Sequence, residues 1–305
     1  MLHSRPNLQT LWRRLAQRSL SLPLVGMLSA CAGLPTPAEG PVRKENVVAV
    51  TSTNQLIRFN AGQPGRILSR TALTGLQAGE TVLGIDYRVL KGQLYALGSS
   101  GRLYRVDVGS GAASMVGAPL PIALNGTEFG VDFNPTVDRL RVVSNTGQNL
   151  RLHPDTGAVI DGNPALDGLQ TDGPLAYAAG DVNVGKSPGV VAAAYTYNKA
   201  DEKITTNYAI DASLGTLAIQ GSLEGTLPVV SPNTGQLRTV GALGAGAFQR
   251  ASFDIADLSG AAFAALTTDG DKSSRWVEID LKTGRARTLG PIGGGEPVRG
   301  VAIEP

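Results

Sequence analysis

Three aspartates recur at one position of a repeated sequence pattern and could together bind a metal ion. They are Asp86 in GIDYR, Asp132 in GVDFN and Asp254 in SFDIA, with Asp181 in AGDVNVG as a fourth candidate. If the strands that carry them are innermost around an axis, their carboxylates gather there and suit a hard cation such as Ca²⁺. In the alternative interpretation, each aspartate accepts backbone hydrogen bonds within its own repeat or the next and keeps the repeats in register.

A second candidate site is the polar stretch 130–157, GVDFNPTVDRLRVVSNTGQNLRLHPDTG. The residues that are peculiar to this copy of the repeat, and therefore candidates for a ligand surface, are Asn134, Asp138, Arg139, Arg141, Asn145, Gln148 and Asn149. Its arginines, with Arg151, could bind an anionic ligand through charge-assisted hydrogen bonds. Alternatively, they pair across strands with Asp132 and Asp138, which stabilises the fold little.

No catalytic residue is predicted. His153 is one of two histidines in the chain, and in the repeat it takes a turn position that Asp107 and Asp280 hold elsewhere. Such residues close turns by accepting hydrogen bonds from nearby backbone amides. The chain has no G-x-S-x-G nucleophile motif. The segment 161–174 is longer than a turn requires, and long loops on a rigid scaffold often carry function.

The elements that position these residues are short strands in a repeating unit. YRVDVGSG at Tyr104 recurs as LRLHPDTG at Leu150 and VEIDLKTG at Val277, and YAID at Tyr208 is interpreted as a fourth copy. The first two copies start 46 residues apart, and a unit of that size contains four short strands. Units of four strands that bury their faces only against their neighbours are typical of β-propellers.

We therefore predict an all-β protein, a β-propeller of five four-stranded blades. The C-terminal strand at 299–303 is expected to pair with the N-terminal blade at 46–59, because it resembles a first strand that lacks the rest of its blade. Such pairing closes the ring and leaves no free edge. Six blades are the alternative, with the additional one in 190–246.

Three stretches carry a family resemblance: GVDFNPTVDRLRVVSNTGQNLR, VAAAYTYN and SPNTGQLRTVGALG. They resemble the bacterial family known as domain of unknown function 4394. The resemblance extends over nearly all of 46–303 and implies an exported, propeller-like domain. It implies no catalytic residue.

The N-terminus resembles a bacterial lipoprotein signal. Four arginines precede a short apolar region, Leu20–Ala30, which at about eleven residues is too short to span a membrane. Cys31, the sole cysteine, follows the lipobox-like Leu28, Ser29 and Ala30 and is the predicted lipidation site. The alternative is an ordinary secretory signal, which would make the protein periplasmic or secreted. Ala32, rather than Asp, resembles the outer-membrane sorting pattern.

These features predict three segments: a signal peptide (1–30), lipidated Cys31 with a flexible tether (31–45), and the propeller (46–305). The whole chain carries 27 basic and 25 acidic residues, a net charge of +2. Removal of the four signal arginines leaves 23 against 25, or −2, which gives no reason to expect a nucleic-acid partner.

The predicted function is that of a lipid-anchored, periplasm-facing protein whose propeller binds or scaffolds. We expect it to be monomeric, to contact the membrane through its lipid, and to bind an envelope protein or a small polar ligand. The alternative is a metal-dependent hydrolase or lyase, lactonase-like by fold analogy, with an axial metal on the four aspartates.

Overall fold

The computed structural model of this protein describes residue 1 and residues 39–305. The predicted signal peptide, Cys31 and the first part of the predicted tether lie outside these residues. The chain divides into two units, Met1–Pro37 and Ala38–Pro305, and the second contains every strand described below. No helix among the described residues is both long and apolar enough to cross a membrane.

Short strands make up nearly all of the regular structure. In chain order they are β1 Asn46–Thr51, β2 Gln55–Asn60, β3 Gln63–Ala72, β4 Val82–Arg88, β5 Gln93–Gly98, β6 Leu103–Val106, β7 Ala113–Val116, β8 Phe129–Asn134, β9 Arg139–Ser144, β10 Asn149–Leu152, β11 Ala176–Tyr177, β12 Val190–Tyr195, β13 Asn207–Asp211, β14 Thr216–Gln220, β15 Gln236–Ala242, β16 Arg250–Ile255, β17 Ala262–Thr267, β18 Arg275–Ile279, β19 Ala286–Pro291 and β20 Val298–Ile303. The described residues also contain two 3₁₀ turns, Val89–Lys91 and Pro232–Thr234.

The strands form five sheets, which are the blades of a propeller. The first blade is β4–β7, the second β8–β10, the third β11–β15 and the fourth β16–β19; the closing blade combines β20 with β1–β3. The inner strands β4, β8, β12, β16 and β20 each contact the next around a ring. The five-bladed prediction is confirmed, and the six-bladed alternative is wrong because 190–246 builds only the third blade.

The ring closes as predicted, by pairing of the C-terminal strand with the N-terminal blade. β20 runs antiparallel to β1, with Val47 opposite Ile303 and Val50 opposite Gly300. The innermost strand of the closing blade thus comes from the opposite end of the domain from its other three strands. β20 thereby gives the closing blade an inner strand, which packs between β4 and β16 and completes the ring.

Two blades depart from four strands. The second blade has three, and only an isolated bridge between Leu152 and Val159 stands where a fourth would be. The chain then runs through the segment 161–174, which lacks alternating apolar residues. The short strand β11, which follows this segment, pairs in parallel with β15. The third blade therefore gains a fifth strand from the segment that leaves the second.

Glycines on the inner strands allow neighbouring blades to approach closely. A Cβ on Gly130 of β8 would lie 2.5 Å from the backbone N of Ala193 on β12. A Cβ on Gly84 of β4 would lie 2.7 Å from Val131, and one on Gly300 of β20 would lie 2.8 Å from the backbone N of Ile85. The glycine of the repeated Gly-x-Asp pattern is therefore required by packing between blades.

Part of the predicted tether lies against the propeller. The backbone N of Arg43 donates to Asn60 Oδ1 at 2.8 Å, and its guanidinium pairs with Glu278 at 2.7 Å. Gln63 Nε2 donates to the carbonyl oxygen of Gly40 at 3.0 Å. Residues 40–45 are thus held on the closing blade and the adjoining fourth blade.

Apolar clusters fill the spaces between blades, and one of them is small. The clusters that join the other neighbouring blades contain 12 to 16 buried hydrophobic residues. The cluster between the second and third blades contains eight, including Val143, Leu175 and Tyr177. Polar side chains occupy the rest of that interface, as described below.

Candidate functional site

Three of the four candidate metal ligands meet near the axis of the propeller. Asp86 on β4, Asp132 on β8 and Asp254 on β16 each place a carboxylate oxygen within 4.8 Å of those of the other two. The three residues are only 3–7% exposed. They lie at the same position of their inner strands, so the repeat accounts for their meeting.

Each of these aspartates also bonds to the next blade. Asp86 Oδ2 accepts a hydrogen bond from the backbone N of Phe133 at 2.6 Å, and Asp132 Oδ1 accepts one from Tyr195 at 2.9 Å. Asp254 Oδ2 accepts one from Ile303 at 2.5 Å. The structure therefore combines the two interpretations of the repeated aspartate, because the carboxylates form a cluster and also link neighbouring blades.

Asp181 is not part of this axial cluster. It precedes β12, and its carboxylate accepts hydrogen bonds from the backbone N of Thr239 at 2.6 Å and from the Thr239 hydroxyl at 2.8 Å. In the third blade Ala194 holds the aspartate position. It directly precedes Tyr195, whose backbone N binds Asp132, just as Asp132 precedes Phe133, whose backbone N binds Asp86. The fourth acid that acts on the cluster is Asp257, whose charge raises the pKa values of all three members.

The electrostatics of the axial cluster are unfavourable for three negative charges. Burial raises the pKa of Asp254 to about 7. Burial, followed by the charge of Asp254, raises the pKa of Asp86 well above its usual range. For Asp132 the causes are burial and then the charges of Asp86 and Asp254. Among residues 39–305, no arginine or lysine forms an ion pair with any of them. The cluster must hold protons or a cation.

The donor set fits a hard divalent cation. Oxygen ligands of one Ca²⁺ lie about 2.3–2.6 Å from it, so they are no more than about 5 Å apart. The three aspartates meet that limit. Asp132 Oδ2 accepts no hydrogen bond from the described residues and is available as a ligand.

The seven residues predicted as a ligand surface do not share one surface. Asp138 pairs with Arg88 of the first blade, with Oδ1 2.8 Å from Nε. Asn145 and Gln148 bind the segment that precedes β8, through the backbone N of Thr127 at 3.0 Å and of Asn125 at 2.9 Å. These three side chains are structural links between segments.

The other four gather at a cavity between the second and third blades. It has a volume of about 310 Å³, and Asn134, Arg139 and Arg141 line it together with Arg151. Asn149 lies beside it and accepts a hydrogen bond from Arg141 Nη1 at 2.5 Å. Asn134 is opposite Arg139, and Arg141 is opposite Arg151, on neighbouring strands.

The alternative interpretation of these arginines, pairing across strands with Asp132 and Asp138, is wrong. Arg139 and Arg141 do not pair with Asp132 or Asp138; Arg141 and Arg151 instead share Asp172, at 3.2 Å and 2.8 Å. Asp172 lies in the long loop 161–174 and is 4% exposed. In the sequence, only the unusual length of this loop indicates that one of its residues could belong to a site.

His153 closes a turn, as its place in the repeat predicts. Its Nδ1 accepts a hydrogen bond from the backbone N of Asp155 at 3.2 Å. Asp107 accepts one from the backbone N of Ser110 at 2.7 Å in the equivalent turn of the first blade. The interpretation of YAID as a fourth copy of this strand and turn is wrong, because Asp211 ends the second strand of its blade and not the third.

Comparison with protein families is decisive for the family. The model of the family described as Domain of unknown function (DUF4394) matches residues 55–302, which include nineteen of the twenty strands at least in part. The chain belongs to this family. The predicted resemblance is thereby confirmed, and the axial cluster and the cavity both lie within the DUF4394 domain. No curated protein matches the chain.

Solved structures with similar folds have low sequence identity to the DUF4394 chain. A protein of unknown function from Bacteroides thetaiotaomicron VPI-5482 is 17% identical with a TM-score of 0.44; the match covers 83% of this chain and 58% of that one. A chain of a nidogen/laminin complex is 9% identical with a TM-score of 0.43, and the match covers 86% of this chain and 98% of that one. TolB from Acinetobacter baumannii is 8% identical with a TM-score of 0.42, and the match covers 83% of this chain and 54% of that one. The chain thus spans little more than half the length of the first and third.

Proposed function

We propose that this protein is a lipid-anchored component of the bacterial envelope whose propeller binds or scaffolds a partner around one axial divalent cation. The observation that carries the proposal is the cluster of Asp86, Asp132 and Asp254, three buried carboxyl groups that form no ion pair with an arginine or lysine of residues 39–305. Ca²⁺ is the cation whose preference for several oxygen ligands best fits this set.

A binding role fits the cluster better than catalysis does. A metal-dependent hydrolase or lyase must bring its substrate to the metal, whereas these carboxyl groups are 3–7% exposed. They also hold neighbouring inner strands together through backbone hydrogen bonds. A cation in this position stabilises the ring, and the rigid propeller then presents its loops and cavities to a partner.

Calcium is expected to raise the melting temperature of residues 39–305. A cation that binds only the folded state at 100 times its Kd contributes about 2.7 kcal/mol, which for a domain of this size is roughly 5–10 °C. The measurement is thermal unfolding at pH 7.5 in calcium and in chelator. At pH 5 the calcium effect should be smaller, because the raised pKa values make protons compete for the same oxygens.

The control variants separate charge from structure. Asp132→Asn keeps an oxygen that can accept the Tyr195 amide but removes the charge, so the variant should lose the calcium response. In chelator at pH 7.5 it should be at least as stable as the parent, since a buried charge is relieved. Asp181→Asn, outside the cluster, should respond to calcium like the parent. Equal responses in parent and D132N would contradict the axial site.

The lipid anchor is proposed from the signal sequence, with attachment at Cys31 and an outer-membrane location facing the periplasm. The Cys31→Ala variant of the full chain is expected to move from the membrane fraction to the soluble fraction of the envelope, because several acyl chains anchor stably and none would remain. Fractionation followed by detection of the protein measures this. Retention of the variant in the membrane would contradict lipidation at Cys31.

A further inference from the structure

The interface between the second and third blades is built around buried polar groups. Its apolar cluster is the smallest of the five, with eight members. The buried polar side chains at this interface are Arg141, Asn149, Asp172, Asn207 and Gln220. Replacing an apolar interface by a polar network gives little stability, so its presence points to another role.

Arg141 is the centre of this network and is 1% exposed. Its Nε donates to the Tyr195 hydroxyl at 2.6 Å, and its Nη2 donates to Asn233 Oδ1 at 2.6 Å. Its Nη1 donates to Asn149 Oδ1 and to Asp172. These bonds fix the guanidinium in one orientation at the wall of the cavity.

The cavity carries a net positive charge. Three arginines line it, Arg139, Arg141 and Arg151. One carboxylate, Asp172, pairs with two of them, which leaves a net charge of about +2 from three cations and one anion. Among residues 39–305, Arg139 forms no ion pair; its Nη1 donates to the carbonyl oxygens of Val137 and Asp138, while Nε and Nη2 donate to no protein atom.

We propose that this cavity binds a small molecule through an oxyanion group, a carboxylate or a phosphate, with Arg139 as its main ion-pair partner. A guanidinium presents two parallel N–H donors that match both groups. Asn134, Tyr195 and Ser231 add polar groups to the wall, and Val137 and Ile160 add apolar ones. The volume of about 310 Å³ is within the range of small-ligand sites.

This site is independent of the axial cation, although the two are adjacent. Tyr195 contacts one residue of each site, since its backbone N donates to Asp132 of the axial cluster and its hydroxyl accepts from Arg141 of the cavity. The arginine cavity opens between blades and is lined by none of the three axial aspartates. The test below uses chelator-stripped protein in a buffer without chelator or divalent cations, so that its failure would not bear on the axial cation.

The test is equilibrium binding of two probes, inorganic phosphate and malonate, to residues 39–305 at constant ionic strength. We expect saturable binding of at least one probe to one site per chain, and which probe binds distinguishes a phosphate ligand from a carboxylate ligand. Arg139→Gln should weaken that binding at least about tenfold, the loss expected for a charge-assisted pair. Arg66→Gln changes an exposed arginine of β3 that forms no ion pair among the described residues, and it should bind like the parent.

Two results would overturn the proposal. One is the absence of saturable binding of both probes to the parent protein. The other is equal affinity of the parent and R139Q, which would place any bound anion elsewhere. The melting temperature of R139Q without anion controls for folding, and it should match that of the parent because Arg139 is half-buried and bonds only to neighbouring carbonyl groups.

Discussion

A chain that ends at Pro297 is expected to lose cooperative folding, because it lacks β20. That strand supplies the inner edge of the closing blade and contacts the inner strands on both sides, β4 and β16. Val298, Val301 and Ile303 are at most 5% exposed. Burial of three such side chains contributes about 5–9 kcal/mol, which is comparable to the whole stability of a typical domain.

The measurement is thermal and denaturant unfolding followed by circular dichroism. The shortened chain should show a broad transition or none, and it should aggregate because β1 exposes an unpaired edge and β4 loses its packing against β20. A control that lacks only Pro305 keeps all of β20 and should unfold like the parent. A sharp transition near the parental melting temperature in the chain that ends at Pro297 would show that the ring does not depend on this closure.

Gly130→Ala is expected to destabilise the protein by about 3 kcal/mol, roughly 10 °C in melting temperature. The new Cβ would lie 2.5 Å from the backbone N of Ala193 and 2.6 Å from the backbone C of Ala192. Because these are backbone atoms of β12, the methyl group can be accommodated only if the second and third blades separate. The loss should therefore appear as a lower midpoint of unfolding.

The matched control is Gly65→Ala on β3. Its Cβ would meet only the carbonyl oxygen of Pro291, at 3.9 Å, which is ordinary van der Waals contact. Both changes add one methyl group to an extended strand, so intrinsic propensity affects them similarly. If the two variants lost equal stability, close approach of the inner strands would not be the reason for glycine at Gly130.

The repeat made most of the ring predictable. Gly84 with Asp86 and Gly130 with Asp132 share a spacing that places glycine against the next blade and aspartate towards the axis. The same reasoning identified Asp254, and it predicted closure from the incomplete units at the two ends of the domain. These successes share a cause, since each depends on a position that several blades repeat for the same packing reason.

The repeat does not predict the inner strand of the third blade. Its inner strand reads VVAAAY, without the glycine or the aspartate, so the pattern wrongly points to Asp181, whereas Ala194 holds the position. Long connections within this blade also shifted YAID from the third strand to the second. A blade that lacks the side chains of the pattern can be placed only through its contacts, which the sequence of one chain does not contain.

The cavity was predictable only in part. Arg139 and Arg141 lie two residues apart on one strand, so a shared face follows from strand geometry. Their partners Asp172, Tyr195 and Asn233 come from a loop and from the next blade, and no local pattern joins them to the arginines. Contacts between blades depend on the closed ring, which is why Asp138, Asn145 and Gln148 could not be separated from the others beforehand.

The central claim is that the axial carboxylates hold one divalent cation, and calcium binding to residues 39–305 tests it most directly. Isothermal titration of chelator-stripped protein at pH 7.5 should give one Ca²⁺ per chain, and Asp86→Asn and Asp254→Asn should each abolish that binding while Asp181→Asn leaves it unchanged. The absence of calcium binding to the folded parent protein, or unchanged binding after either substitution in the cluster, would contradict the account.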